Sequence, residues 1–152
     1  MNVNPELIAP CGLHCEPCPL YRAQHDEDLR QALAKRLQVP PTMATCPGCR
    51  PSQGSPTPLR GELCPTYSCV EERGHDHCHE CGDFPCRMLQ PLAQRAENLP
   101  HNLKTFSLLV LRRDGAEKWA AQYPLICKRY FQGKMVIGKG SVLPEDEKQS
   151  QE

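Results

Sequence analysis

The chain has 152 residues, the length of one domain. Its 18 Lys and Arg balance 18 Asp and Glu, which removes any general pull toward nucleic acid, anionic membrane or acidic substrates. Aromatic residues make up 5% beside 16 prolines, 10 glycines and 11 cysteines, so the first half is expected to lack a large apolar core and to be held by something else.

The N-terminus, MNVNPELIAP, has no charged start followed by an apolar run, so no secretory signal is read there. No stretch approaches the roughly 18 consecutive apolar residues of a membrane span. The expected setting is the reducing cytoplasm, where clustered thiols are metal ligands rather than disulfides.

In chain order, the stretch PLYRAQHDEDLRQALAKRLQ after Cys18 predicts one helix. Leu29, Leu33 and Leu37 fall on one face, and Pro40-Pro41 stops it. Asp26, Glu27 and Asp28 sit near its start, where the helix dipole favours negative charge. Residues 50–61 predict a polar, proline-rich loop. CPTYSCVEERG predicts a short helix with Pro65 in its first turn and Gly74 as its stop. DFPCRMLQPLAQRAEN predicts a helix from Asp83 that Pro91 can kink. PHNLKTFSLLVLRRDG predicts a stronger helix with Leu103, Phe106 and Val110 on one face, ended by Gly115. AEKWAAQY predicts another short helix, and RYFQGKMVIGKG a hairpin or strand with a glycine turn. Phe106 and Trp119 are expected in the core, and Cys127 as a buried small residue.

The fold class expected is mainly α: a small metal-stapled, cysteine-rich domain with short helices, long loops and at most a minor hairpin near the C-terminus. A single domain spans 1–138, with a metal-binding part over 1–86 and a helical part over 87–138. Residues 139–152 are expected as a disordered tail.

Ten of the cysteines fall into four packets: Cys11, Cys15 and Cys18; Cys46 and Cys49; Cys64 and Cys69; Cys78, Cys81 and Cys86. All ten are candidate metal ligands. A Cys-x2-Cys turn aims two sulfurs at one ion, at about 2.3 Å for zinc. Glycines in CPGC and CHECG ease the positive φ that such a knuckle requires. Ten thiols complete two four-thiolate sites with two left over, and packets distant in sequence are expected to combine. Chelation should then unfold residues 1–86. The histidines of HDHCHEC and His14 enlarge the ligand pool, but HDHCHEC reads first as a solvated polar loop.

The Cys11-x3-Cys15-x2-Cys18 spacing matches that of radical enzymes using S-adenosylmethionine. Such chemistry needs a barrel of alternating strands and helices, on the order of 200 residues or more. This chain reads as helix and loop, so the match is taken as coincidence. Spacing favours zinc. The Cys-Pro steps at Cys18, Cys46 and Cys64 keep a [4Fe–4S] cluster as the alternative, and a thiol- or metal-dependent enzyme as a third.

The packet order resembles the DUF3795 family, small cysteine-rich prokaryotic proteins of unknown function. The resemblance lies in APCGLHCEPCPLYRA (9–23), CPGCR (46–50), the Cys64-x4-Cys69 step, CHECGDFPC (78–86) and, more loosely, DGAEKWAAQ (114–122). Many members carry another cysteine at the position of Gly61. The resemblance implies a metal-binding cytosolic protein and brings no activity, substrate or catalytic residue.

Arg112, Arg113, Lys128, Arg129, Lys134 and Lys139 interleave with Tyr130 and Phe131. With zero net charge this reads as a solvated face, not a nucleic-acid surface. The favoured role is a non-catalytic module that presents a surface to a protein partner.

Overall fold

The computed structural model describes residues 3–149. It is mainly helical, with one two-stranded antiparallel sheet. The helices are α1 (Pro19–Arg22), α2 (Glu27–Leu37), α3 (Pro65–Glu72), α4 (Leu103–Gln132) and α5 (Pro144–Gln149). The strands are β1 (Lys134–Val136) and β2 (Gly140–Val142). No helix among the described residues is long and apolar enough to cross a membrane.

The single helix expected after Cys18 is two. Asp26 leaves helical geometry and its carboxylate accepts the Leu29 N–H at 2.9 Å, so α2 starts there with Glu27 and Asp28 in its first turn. Leu33 is buried and Leu29 half-buried, but Leu37 at the end of α2 is exposed. Helix α3 begins at Pro65 as its sequence requires.

The helix expected over 83–98 does not form. Only Arg87–Leu89 makes a 3-10 turn. Two features interrupt it: Pro91, and Arg95 at φ 57. Side chains hold the segment instead. Asn102 bonds Leu92 through both its N–H and C=O at 3.0 Å, and the Tyr130 hydroxyl donates to the carbonyls of Ala96 and Leu99.

The two helices expected over 100–123 are both present within α4 and part at Gly115, as expected. Gly115 breaks α4 with φ 77 and ψ 166. The Asp114 carboxylate ties the two sides together, accepting from Arg113 at 2.6 Å and from Gln122 at 2.9 Å. Helix α4 runs on through Arg129–Phe131, so the hairpin begins only at Lys134. Its register pairs Lys134 with Val142 and Val136 with Gly140.

Part of the tail expected to be disordered is built into the fold. Leu143 is fully buried, and α5 pairs with α4 through Lys128–Glu145 and Arg129–Asp146. The last three residues of that tail lie outside the described residues.

Three small apolar clusters replace one large core. One joins Ile8 to Leu103, Val110, Leu111, Trp119 and Tyr123; the second joins Ala23, Leu33, Ala34 and Ala44; the third joins Val70, Cys78, Leu89 and Leu108. Trp119 is fully buried as expected, whereas Phe106 points outward and is 57% exposed. The N-terminal half of α4 thus contributes to both clusters that back the cysteine-rich part.

Candidate metal centre

The first packet sits on a tight turn. The Ala9 N–H donates to Leu13 O at 2.9 Å, the Gly12 N–H to Ala9 O at 2.8 Å, and Ile8 bridges His14. This turn lies directly on α4. A Cβ on Gly12 would stand 2.6 Å from Leu108 Cγ, and Gly12 adopts φ +82. Ser107 Oγ donates to Gly12 O at 2.5 Å and accepts from Trp119 Nε1 at 2.9 Å. A buried relay, Trp119 to Ser107 to Gly12, therefore fixes the loop that carries Cys11 and Cys15. Sequence reasoning missed it, since a helical serine carries no signal of a carbonyl 95 residues away.

The other packets are brought to this turn by backbone bonds. Cys46 N–H donates to Leu20 O, Cys64 N–H to Gly54 O, and Cys78 N–H to Pro10 O. Arg50 spans two segments, with Nε donating to Ile8 O at 2.9 Å and its terminal nitrogen to Asp76 O at 2.6 Å. In the CPGC knuckle Gly48 adopts φ +101 as expected. Gly82 after CHEC adopts no positive φ, so that second knuckle turns without it.

The sulfurs sort into two groups and a pair. Cys11, Cys15, Cys49 and Cys64 form group one. Burial pushes the Cys11 thiol up, helped by the sulfurs of Cys64 and Cys15. Cys49 donates to Cys15, which brings Cys15 down to about 7 and drives Cys49 up, so the two share one proton. Charge on Cys11 and Cys64 also acts on Cys49.

Cys69, Cys78, Cys81 and Cys86 form group two. Burial pushes Cys78 up to about 12, with further contributions from Cys11, Cys86, Cys69 and Cys81. All four line a partly enclosed cavity of about 220 Å³ together with Arg73, Phe84 and Arg87. Arg73 donates to Cys81 Sγ at 3.0 Å and to Asp83 at 2.8 Å, and the Asp83 N–H approaches the same sulfur at 3.4 Å.

Cys18 and Cys46 make a further pair that adjoins group one at Cys15. Burial raises the Cys18 thiol, and it lies beside Cys15 and Cys46. Helix α3 divides its packet, with Cys64 at its N-cap in group one and Cys69 inside it in group two. Sulfurs from packets distant in sequence thus stand near one another.

Cys127, expected buried, is half-buried. Burial raises its thiol and it bonds Tyr123. His14 is 7% exposed and packs on Trp119 and Tyr123 with ring centroids 5.0 and 5.5 Å away. Burial pushes its imidazole down, so it is a neutral core residue.

The donor sets can be compared with the two metals. Four thiolates around one zinc ion at about 2.3 Å lie about 3.8 Å apart. Among the described residues no three cysteine sulfurs lie within 4.8 Å of one another. A cubane interposes four irons and four sulfides, so its thiolates stand further apart and around a space. Group two lines a cavity of about 220 Å³, whereas group one holds the directly touching pair Cys15 and Cys49.

The profile built from members of the family described as protein of unknown function (DUF3795) matches residues 7–91 of the chain, more than half its length. The chain belongs to the DUF3795 family. The match spans all ten packet cysteines of this DUF3795 chain and stops before α4. No curated protein and no solved structure matches the chain.

Proposed function

We propose that this DUF3795 chain is a cysteine-held metal protein of the cytoplasm, in which group two carries a [4Fe–4S] cluster for electron transfer with a protein partner. The observation that carries this reading is the cavity of about 220 Å³ faced by Cys69, Cys78, Cys81 and Cys86. A single zinc ion draws its four sulfurs into one contact shell and leaves no such space.

When bound, the cluster supplies one-electron redox chemistry. The chain's own residues set the conditions for it. The Arg73 guanidinium and the Asp83 N–H face Cys81 Sγ at 3.0 and 3.4 Å and draw negative charge off the thiolate. Such donors favour the more negative, reduced state and raise its potential. Arg73 is half-exposed, so electrons would enter or leave on this side.

Zinc, which spacing favours, has its best support in group one. There Cys15 and Cys49 contact each other directly across the Gly48 knuckle. Metal and sulfide analysis of anaerobically purified protein tests both readings. Coloured protein with about four iron and four sulfide for group two, lost in Cys86→Ser, is the expected result. Colourless protein with about two zinc per chain and no sulfide would refute the cluster.

A further inference from the structure

Outside the cysteine groups, one set of side chains has the chemistry of a metal site. The ligand atoms of His77, His79 and Glu80 all lie within 4.8 Å of one another. His77 Nδ1 stands 3.5 Å from Glu80 Oε1. That is close to the spacing, about 3.4 Å, of two ligands held at about 2.1 Å on one tetrahedral ion. The rings of His77 and His79 are stacked, with centroids 5.5 Å apart and planes 8° apart.

The site is built and not merely a crowd of polar groups. His77 has a side chain only 14% exposed, and the nitrogen it turns to Glu80 is Nδ1. Glu80 is fixed by the Asp76 N–H, which donates to Oε2 at 3.0 Å. Asp76 is fixed in turn by Arg50, which also holds Ile8. His75 Nδ1 stands 4.0 Å from Glu80 Oε2, outside this set.

We propose that His77, His79 and Glu80 bind one divalent first-row transition ion at a site separate from the cysteine groups. Two imidazoles and one carboxylate leave further coordination positions for water or a small ligand, the donor set of exchangeable rather than closed sites. Nitrogen and oxygen donors take zinc, cobalt, nickel or iron(II). Nothing in this proposal depends on what occupies the cysteines. Cys78 lies between the two histidines in sequence, yet its thiol belongs to group two.

Cobalt(II) added to the full-length protein, its cysteine sites already metal-loaded, tests the site. One further equivalent should bind with weak ligand-field bands and without sulfur-to-cobalt charge transfer. It should be lost in the variant His77→Ala, His79→Ala and weakened about tenfold or more in Glu80→Gln, with cysteine-bound metal unchanged. In the wild-type protein, zinc(II) should shift the imidazole nitrogen resonances of His77 and His79, a readout that needs no variant to fold. No extra equivalent and unshifted imidazoles would overturn the proposal, as would equal binding by the double variant.

Discussion

Adding one methyl group at Gly12 should disturb both the fold and the metal centre. Gly12 adopts φ +82, and a Cβ there would meet Leu108 Cγ at 2.6 Å and Leu108 N at 3.2 Å. The left-handed conformation costs an ordinary residue about 1–2 kcal/mol. Forcing a methyl into a packed site costs about 1–3 kcal/mol more. Gly12→Ala should therefore destabilise by about 2–5 kcal/mol. Gly61 separates the two contributions. It has φ +90 and open space where a Cβ would go, so Gly61→Ala should cost only the backbone part, about 1–2 kcal/mol. Leu108 is fully buried, and Leu108→Ala alone should cost about 2–5 kcal/mol. In the double variant the clash with the Leu108 side chain disappears, though the contact with Leu108 N stays, so its cost should fall short of the sum by about 1–3 kcal/mol. Urea unfolding followed by Trp119, the only tryptophan, reads this cycle at matched metal loading. Strict additivity, or a Gly12→Ala cost no larger than that of Gly61→Ala, would refute the close approach of the cysteine turn to α4.

Three more outcomes follow from named contacts. Cys18→Ser and Cys46→Ser should keep the full metal content while Cys69→Ser and Cys86→Ser each lose group two; elemental analysis that finds the reverse would show the sulfurs wrongly sorted. Arg113 and then Gln122 hold the Asp114 carboxyl well below the usual carboxylate range. Its contribution is thus present above the unfolded carboxylate pKa and is lost as pH falls through the lowered folded value. Asp114→Asn should therefore destabilise at neutral pH and lose that effect in strong acid, which urea melts at both pH values will show. Tyr130→Phe removes the donor to Ala96 O and Leu99 O and should cost about 0.5–1.5 kcal/mol. Its signature is faster amide exchange around residues 96–99, and unchanged exchange would count against the tether.

What could be read from the sequence follows from how locally each feature is encoded. The packets were legible because ligand spacing is a short-range code. So was α3, which carries its start signal at Pro65. Their sorting was not legible: α3 sends Cys64 to one group and Cys69 to the other, and five positions of sequence do not say which way a helix faces. The break before α2 was there to be found in Asp26, a residue type that caps helices. The missing helix over 83–98 shows proline outweighing a run of good helix formers. Phe106 shared a helical face with Leu103 and Val110 in the pattern, yet it is exposed while both of them are buried.

The division into a metal-held part and a helical part is the expectation that most needs revision in energetic terms. Metal binding to unfolded thiols is folding energy, so chelation alone would be expected to unfold residues 1–86. Yet Ile8 packs with Leu103, Val110 and Leu111, and Leu108 packs with Val70, Cys78 and Leu89. Each buried leucine or valine contributes about 1.5–3 kcal/mol through such burial. Helix α4 therefore loses much of its covering when the cysteine loops loosen, and the exposed apolar face no longer favours the helix. Chelation should then raise amide exchange along 103–123 as well as along 7–86, because Trp119 and Tyr123 also pack on Ile8 and His14, while the last turns of α4, clamped to α5, respond less. Full protection of 103–123 after complete metal removal would mean that α4 folds without the metal-held part and that the two halves are independent.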